Sequence, residues 1–310
     1  MDIRNQETHA LSTRGKRKSR TKNHGKIAGW GLLILLIVVT VLPLVWALRT
    51  AVTPNAEIFN GNYSLIPDNA SMINFKRVLG MTTPEENVAA GGTAAVINFW
   101  LYMRNSLIFV AILVFAQVTT STMAAYALSR LHFRGREVIF VILLTGLMIP
   151  PIFIALPNFV LMDQLAWINT FQGLLAPYVL ICPFGIFFLR QFMLSLPREV
   201  EEAAMVDGAS RWTVFMKMIV PMSAAPITTL AIIQAVFGWN EYMWPQLIAK
   251  ADGVRLLNVA LSVFAQSSPS TRPDWAGLMA AATLQVIPMF ILLIIFGKRL
   301  VNSLGLTAAK

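Results

Sequence analysis

Residues 194–212 read LSLPREVEEAAMVDGASRW and separate two long apolar windows. Pro197 suits the first turn of a helix, where its missing N–H is not needed. Gly208 can adopt the left-handed conformation that ends a helix, and Ser210 can cap a second helix that runs into the next window. The stretch therefore predicts two short helices with a sharp bend between them, held just outside a membrane. We call residues 197–212 the elbow.

The first helix of the elbow is acidic at its start and shallow on one face. The positive end of a helix stabilises acidic side chains by about 0.3–1 kcal/mol each, and this end carries Glu199, Glu201 and Glu202. Helical spacing places Val200, Ala203, Ala204 and Asp207 on one face. Because the two alanines make that face shallow, we expect a rigid knob for a cytoplasmic partner. The alternative is an ordinary solvated amphipathic helix.

Long windows without any Asp, Glu, Lys or Arg lie on both sides of the elbow. Each is 22 to 26 residues long, and they span 27–48, 105–129, 138–162, 164–189, 218–240 and 275–297. About 20 residues of helix cross a bilayer core, and an isolated strand would leave its backbone unpaired in lipid. The sequence therefore predicts an all-α polytopic membrane protein with six transmembrane helices.

The composition excludes most soluble classes of protein. The 310 residues are 56% hydrophobic and 13% charged, with a mean hydropathy of +0.63, whereas a soluble domain carries roughly 25% charged residues. One cysteine and three histidines exclude a disulfide framework and a Cys/His metal cluster. Cys182 has no nearby partner in the sequence and is interpreted as a small apolar filler.

Basic residues in the connections indicate the orientation. With the N-terminus in the cytoplasm, 18 of the 25 Lys and Arg residues lie inside and 7 lie outside, as the positive-inside rule requires. This N-in, C-in arrangement predicts a basic, disordered cytoplasmic tail at 1–26, a membrane domain at 27–300 and a cytoplasmic C-terminal tail at 301–310. The basic tail resembles a nucleic-acid arm, but directly before a span it favours an orientation signal near anionic lipid, with no nucleic-acid partner.

Three connections are long: the cytoplasmic loop 191–218, which contains the elbow, and the external loops 50–104 and 249–274. Loops of this length bind a partner or only tether the spans. Seven prolines interrupt the later spans, at positions 150, 151, 157, 177, 183, 226 and 288. Proline kinks a helix, as expected where spans line a cavity that opens alternately, although any single kink can serve packing alone.

The sequence predicts no catalytic residue and no metal site on this chain. It lacks a G-x-x-x-x-G-K-[ST] phosphate loop, so the energy source would be another chain. A secondary transporter driven by an ion gradient usually places carboxylates or histidines in the middle of the membrane, and the six windows hold neither. An intramembrane enzyme needs a nucleophile with a base or metal ligands within reach, and the sequence offers no such set.

The elbow resembles the EAA signature of the permeases of binding-protein-dependent ABC importers. The matching residues are Glu202, Ala203, Ala204, Gly208, Ile219 and Pro221, with Val220 in place of the usual leucine. Other stretches resemble the carbohydrate branch, in particular the second permease subunit of maltose-type systems. They are 74–75, 105–107, 124–130, 133–136, 148–150, 156–157 and 239–242. The likeness covers roughly residues 28 to 302.

The resemblance implies a type I ABC importer permease fold in the bacterial cytoplasmic (inner) membrane. The cytoplasmic loop would dock on an ATPase subunit, with Glu202 pairing with a basic residue there. Ala203 and Ala204 would permit close contact, Gly208 would set the bend, and Asp207, Ser210 and Arg211 complete the coupling set. The C-terminal segment 302–310 would also reach the ATPase pair, and external loop 249–274 would contact a sugar-binding protein.

The resemblance also implies the partners and the cargo. The chain would pair with a second, homologous permease, two ATPase subunits that bind ATP and Mg, and an external sugar-binding protein. It would hold no cofactor itself and would import a saccharide, glycoside or polyol by alternating access. The alternatives are a non-sugar cargo, such as an amino acid or glycerol phosphate, and an ion-coupled secondary transporter.

Seven residues in or near the spans are candidates for the substrate path: Gln117, Gln234, Trp239, Asn240, Glu241, Tyr242 and Gln285. The aromatic rings, together with Trp244, can stack on sugars or form an interfacial aromatic belt. Glu241 is an acid close to a span and hence a functional candidate, although water can hydrate it at the outer interface. The glutamines can bind hydroxyls or a neighbouring helix. The external loops carry seven acids and seven bases, which gives no electrostatic argument for an anionic cargo.

Overall fold

The computed structural model of the protein describes residues 4–59, 64–94, 96–267 and 273–308, with side chains described from 26 to 297 within those ranges. In chain order the helices are α1 (Arg4–Ala51), α2 (Asn55–Ile58), α3 (Ile73–Val78), α4 (Pro84–Ala89), α5 (Phe99–Arg130), α6 (Arg136–Gly146), α7 (Pro151–Gln164), α8 (Phe171–Val179), α9 (Pro183–Leu194), α10 (Glu199–Val206), α11 (Arg211–Val214), α12 (Val220–Met222), α13 (Ala224–Asn240), α14 (Met243–Ile248), α15 (Leu257–Ser267) and α16 (Trp275–Ala308). A π-helical turn, Phe215–Ile219, joins α11 to α12. No strand occurs in the described ranges.

Six membrane spans emerge when each bent helix pair counts as one span. Four described helical segments are long and apolar enough to cross a bilayer: Lys26–Ala51, Phe99–Arg130, Phe171–Leu194 and Trp275–Gly297. The other two spans are bent pairs, α6 with α7 and α11–α12 with α13. The predicted all-α polytopic fold is therefore confirmed, and the count of six spans agrees with the prediction when each bent pair is one span.

The bends occur beside prolines, but only some of the seven predicted prolines mark one. Helices α6 and α7 meet at 96°, where Pro150 and Pro151 cannot continue a helix from the residues before them. The α11–α12 segment meets α13 at 74°, close to Pro221 and Pro226. Proline 183 begins α9, whereas prolines 157, 177 and 288 lie within α7, α8 and α16. Proline alone therefore does not decide where a span breaks.

Both ends of the chain are more helical than predicted. Helix α1 begins at Arg4 and continues without a break into the first span, so residues 4–26 differ from the disordered tail predicted there. Lysine and arginine are good helix formers, and they make up eight of residues 4–26. Helix α16 likewise continues to Ala308. Side chains beyond Gly297, including the predicted ATPase contact at 302–310, lie outside the described part of the chain.

Helix α5 forms the centre of the bundle. It packs against α8, α9 and α13 along its length and against α15 near its start. Phe109 and Leu113 of α5 are fully buried, as are Leu174 of α8 and Leu189 of α9. By contrast, α1 packs on α16, and an 18-residue apolar window of its span has no buried residue, although Arg49, Thr50 and Ala51 at the end of the span are buried. The chain thus has a tight inner group of helices and a peripheral pair.

The outer loops are organised rather than loose. Loop 50–104 contains α2, α3 and α4, and α4 begins with a capping box in which Thr83 and Glu86 bond each other's backbone N–H. Loop 249–274, predicted as a long external connection, contains the eleven-residue helix α15, whose buried side chains include Leu257, Leu261 and Phe264. Segment 249–274 is therefore partly core, because α15 packs its apolar face on α5 and α16.

A buried ion pair joins the two outer loops. Arg77 on α3 contacts Asp274, which directly precedes α16, and their side chains are only 3% and 1% exposed. Asp274 also accepts hydrogen bonds from the backbone N–H groups of Thr93 and Gly277 at 3.1 and 2.9 Å. Asn74, fully buried, donates to the carbonyls of Ala51 and Thr53. The first outer loop is thereby fixed to the ends of both α1 and α16.

Candidate functional site

The elbow consists of α10 and α11 with a sharp turn between them. Helix α10 begins at Glu199, two residues after Pro197, so the proline precedes the helix instead of occupying its first turn. Gly208 has φ of +84°, the left-handed conformation predicted from its position. Ser210 accepts a hydrogen bond from the Thr213 N–H at 3.2 Å and caps α11. The predicted bend at Gly208 and the predicted Ser210 cap of the second helix are confirmed.

Helix α10 presents two distinct faces. Glu202, Ala203 and Asp207 are exposed, and so are Met205 and Val206, the latter to 86%. Glu201 and Ala204 are buried. The structure therefore separates the two alanines: Ala203 lies on the outer surface, whereas Ala204 packs with Val214 and Phe215 in the core cluster beneath the elbow. The outer face, which we call the docking face, consists of Glu202, Ala203, Met205, Val206 and Asp207.

A groove runs beside the elbow, between the end of α5 and the start of α11. Its volume is about 220 Å³, and its lining is mostly apolar, from Met123, Tyr126, Ala127, Leu131, Arg211, Trp212 and Phe215. Arg211 and Trp212 are exposed. The elbow thus combines a projecting docking face with an adjoining apolar groove.

The tryptophans proposed for the substrate path are inaccessible. Trp239 is 5% exposed and Trp244 is 3% exposed, and the Trp244 indole N–H donates to the carbonyl of Gly173 at 3.2 Å. Both pack in the main core of the bundle. Trp239 is therefore wrong as a sugar-stacking candidate, and neither ring belongs to an interfacial belt, because large aromatic surfaces here fill the space between helices.

The other three residues of stretch 239–242 lie at the end of α13 and are at least partly accessible. Asn240 is exposed and donates to the Val236 carbonyl at 2.8 Å. Glu241 is partly buried and accepts from the Trp244 N–H at 3.2 Å. Tyr242 is exposed, with its hydroxyl 2.8 Å from the Ser262 hydroxyl. These three residues form one polar patch at the junction of α13 and α14.

The three glutamines are held inside the bundle. Gln117 is buried and donates to the Tyr178 carbonyl at 2.9 Å. Gln234 is buried and donates to the Cys182 Sγ at 2.9 Å. Gln285 donates to the Asn258 side-chain oxygen. All three therefore bind neighbouring segments, which is the alternative to a hydroxyl-binding role.

Cys182 has a polar role that the sequence did not reveal. Besides accepting from Gln234, its Sγ accepts from the Gly185 N–H at 3.3 Å and so caps α9. Cys182 is buried, as expected of a small filler, but the filler interpretation omitted the two hydrogen bonds that its Sγ accepts. Its position directly before Pro183, at the first turn of a helix, was the local signal for a capping role.

Comparisons with known proteins place the chain in a family. The profile described as "Binding-protein-dependent transport system inner membrane component" matches residues 117–305, which includes the whole elbow. The chain belongs to this family. It is a transport permease, an integral, multi-pass protein of the cytoplasmic membrane.

Named relatives cover nearly the whole permease. It is 31% identical over 275 residues to the diacetylchitobiose uptake system permease protein of Streptomyces coelicolor, covering 88% of this chain and 85% of the relative. It is 29% identical over 278 residues to the trehalose/maltose transport system permease protein of Thermococcus litoralis, covering 89% and 94%. A bacterial ABC transporter that imports the polysaccharide alginate contains a chain of the same fold, with TM-score 0.74, 21% identity and coverage of 90% and 97%.

Two asparagines to which the sequence assigned no role, Asn105 and Asn169, hold segment 250–255. Asn105, fully buried near the start of α5, donates to the carbonyls of Asp252, Gly253 and Arg255 at 3.4, 3.1 and 3.1 Å. Asn169 accepts from the N–H groups of Lys250 and Ala251, both at 2.8 Å. These contacts fix segment 250–255 as a rigid outer projection. The family-like match at 105–107 was the available signal for Asn105.

Proposed function

We propose that this permease is one of two membrane subunits of an ATP-driven importer for a saccharide or polyol, and that its docking face binds an ATPase subunit. The observation that carries the proposal is the exposed docking face on a bent, capped elbow. It offers two exposed carboxylates, Glu202 and Asp207, together with the small residue Ala203 and the exposed side chain of Val206. An exposed apolar side chain beside an acid suits a protein partner with a basic rim.

The cargo is proposed from the relatives. Two of them are named for trehalose/maltose and for diacetylchitobiose, and a third, 27% identical over 289 residues, is named for arabinooligosaccharides. A second candidate is glycerol phosphate, because a permease named for sn-glycerol-3-phosphate is 28% identical over 273 residues. The equal number of acids and bases in the external loops does not favour an anionic cargo over a neutral one.

The remaining parts of the importer follow from this proposal. ATP and Mg would be bound by two ATPase subunits, since the sequence contains no phosphate loop. A homologous permease would complete the pathway, and an external binding protein would deliver the cargo to the projection at 250–255. With the elbow in the cytoplasm, the N- and C-termini lie inside, and alternating access moves the cargo inward.

The ATPase contact is tested by charge reversal at Glu202. Glu202→Lys in the co-expressed complex should prevent the ATPase subunits from co-purifying with the permease pair. Asp163→Lys, the same change at an exposed residue of α7, is the matched control and should leave the complex intact. If the Glu202→Lys complex retains its ATPases and full transport, the docking assignment is wrong.

The cargo is tested with the reconstituted complex. ATP hydrolysis in proteoliposomes should rise when the binding protein is loaded with a disaccharide or oligosaccharide, and the labelled sugar should accumulate inside. Stimulation by glycerol phosphate, with no response to sugars, would replace the saccharide proposal with the second candidate.

A further inference from the structure

A buried arginine holds the elbow from the inside. Arg130 is the last residue of α5, and its Nε lies 3.0 Å from Glu201 Oε1 on α10. Its Nη2 donates to the Leu196 carbonyl at 2.8 Å and to the Met193 carbonyl. The side chains of Arg130 and Glu201 are only 3% and 10% exposed. One guanidinium therefore joins the end of α5, the end of α9 and the first turn of α10.

The electrostatic setting favours a cation at this point. The carbonyls of Met193 and Leu196 lie at the C-terminal end of α9, where the helix dipole is negative and carbonyls lack helical partners. Glu201 lies in the first turn of α10, where the dipole favours an acid. The guanidinium can donate to the two carbonyls through Nη2 while its delocalised charge attracts Glu201. A lysine offers a single point charge instead.

The surroundings of this pair are apolar. Ala204, Val214, Phe215 and Tyr126 belong to the core cluster beneath the elbow. Burying two charges is costly, and a pair of this kind is weak support for stability, since apolar replacements of similar volume are often at least as stable. A role other than stability therefore better explains why two charged side chains are buried between α5 and α10.

The two adjacent acids of α10 have different partners. Consecutive residues of a helix point about 100° apart, so Glu202 faces outward on the docking face while Glu201 faces inward to Arg130. The Arg130–Glu201 contact lacks the alignment of a hydrogen bond. Coulomb attraction has no such angular requirement, so it would continue through a small rotation of α10 against α5.

The other end of α5 is also fixed. Asn105 donates to the carbonyls of Asp252, Gly253 and Arg255, and the 25 residue steps from Asn105 to Arg130 span about 38 Å of helix. Helix α5 thus connects the elbow to the outer projection as one continuous rod. This connection is direct: an ion pair at one end and amide hydrogen bonds at the other.

We infer that Arg130 and Glu201 are positioning residues that transmit movement of the elbow to α5. This inference rests on the proposed function, because it assumes that an ATPase moves the docking face. When α10 shifts, the buried pair carries the end of α5 with it, and the outer projection responds. The pair therefore couples ATP hydrolysis to the loading state of the binding protein, while Glu202 holds the ATPase.

The test uses the whole reconstituted importer with the substitution Glu201→Gln. This variant keeps shape and removes the charge. The ATPases should co-purify as in the wild type, and hydrolysis without binding protein should be retained. Stimulation by loaded binding protein should fall by roughly 5-fold or more, within the range of typical allosteric coupling, as should the sugar transported per ATP. Glu201→Asp should recover part of both.

Two further variants separate this inference from the proposed function and from a folding defect. Glu202→Lys should lose the ATPases altogether, which is the failure expected at the docking face. Arg130→Met with Glu201→Leu should fold and assemble, because both charges are replaced by apolar groups, yet remain uncoupled. Wild-type sugar per ATP in either Glu201→Gln or the double variant would overturn the inference.

Discussion

Removing the charge of Asp274 should strongly destabilise the permease. Asp274 accepts from Arg77, from the Thr93 N–H and, as the cap of α16, from the Gly277 N–H. Asp274→Ser keeps an oxygen for the cap, since serine and aspartate cap helices about equally well. The substitution therefore keeps the cap, removes the partner of a buried guanidinium and, as a smaller effect, removes the acceptor of the Thr93 N–H.

The magnitude follows from the burial of the pair. The Arg77 and Asp274 side chains are 3% and 1% exposed, and removing one partner of such a pair costs about 3–5 kcal/mol. Total stabilities are only about 5–15 kcal/mol, so the variant should be marginally folded. Arg77→Met combined with Asp274→Ser should recover most of the loss, because no unpaired charge stays buried.

The assay is equilibrium unfolding in mixed micelles, followed by tryptophan fluorescence. Asp252→Ser is the matched control: Asp252 pairs with Arg255 at 2.8 Å, but its side chain is 69% exposed, and exposed pairs contribute about 1 kcal/mol or less. A loss below 1 kcal/mol for Asp274→Ser, or a double variant no more stable than the single one, would refute the reasoning.

Three further predictions concern the elbow. Ala203→Leu should block ATPase co-purification without changing the free energy of unfolding. Ala204→Leu should lower the free energy of unfolding by about 1–3 kcal/mol, because it overpacks the core. Equal losses of stability in the two variants would contradict the assignment of the two alanines to different faces. Gly208→Ala should cost about 1–2 kcal/mol because of its left-handed backbone, while Gly29→Ala, in open space on α1, should be neutral or stabilising; unfolding of both variants measures this. Ser210→Ala should cost about 1 kcal/mol through loss of the α11 cap, checked by hydrogen exchange at Thr213 and Val214, and unchanged exchange there would disprove the capping role.

Much of the site was predictable because its determinants are local. A helical window, a left-handed glycine and a capping serine each depend on only a few neighbouring residues, so the spans, Gly208 and Ser210 could be read directly from the chain. The family motif located the elbow for the same reason. Its residues are close in sequence and recur in a fixed order.

The sequence by itself determined that the protein is a six-span helical membrane protein with a bent elbow between the fourth and fifth spans. Tertiary structure decided which side of each helix faces inward. Ala203 and Glu202 are exposed whereas Ala204 and Glu201 are buried, because the latter two face the helices packed beneath α10. Trp239 is likewise buried by the helices around it. Arg77 pairs with Asp274, which lies 197 positions later in the sequence. Arg130 at the end of α5 pairs with Glu201 on α10. Such pairings depend on how separate elements pack, and periodicity along one chain carries no information about its distant neighbours.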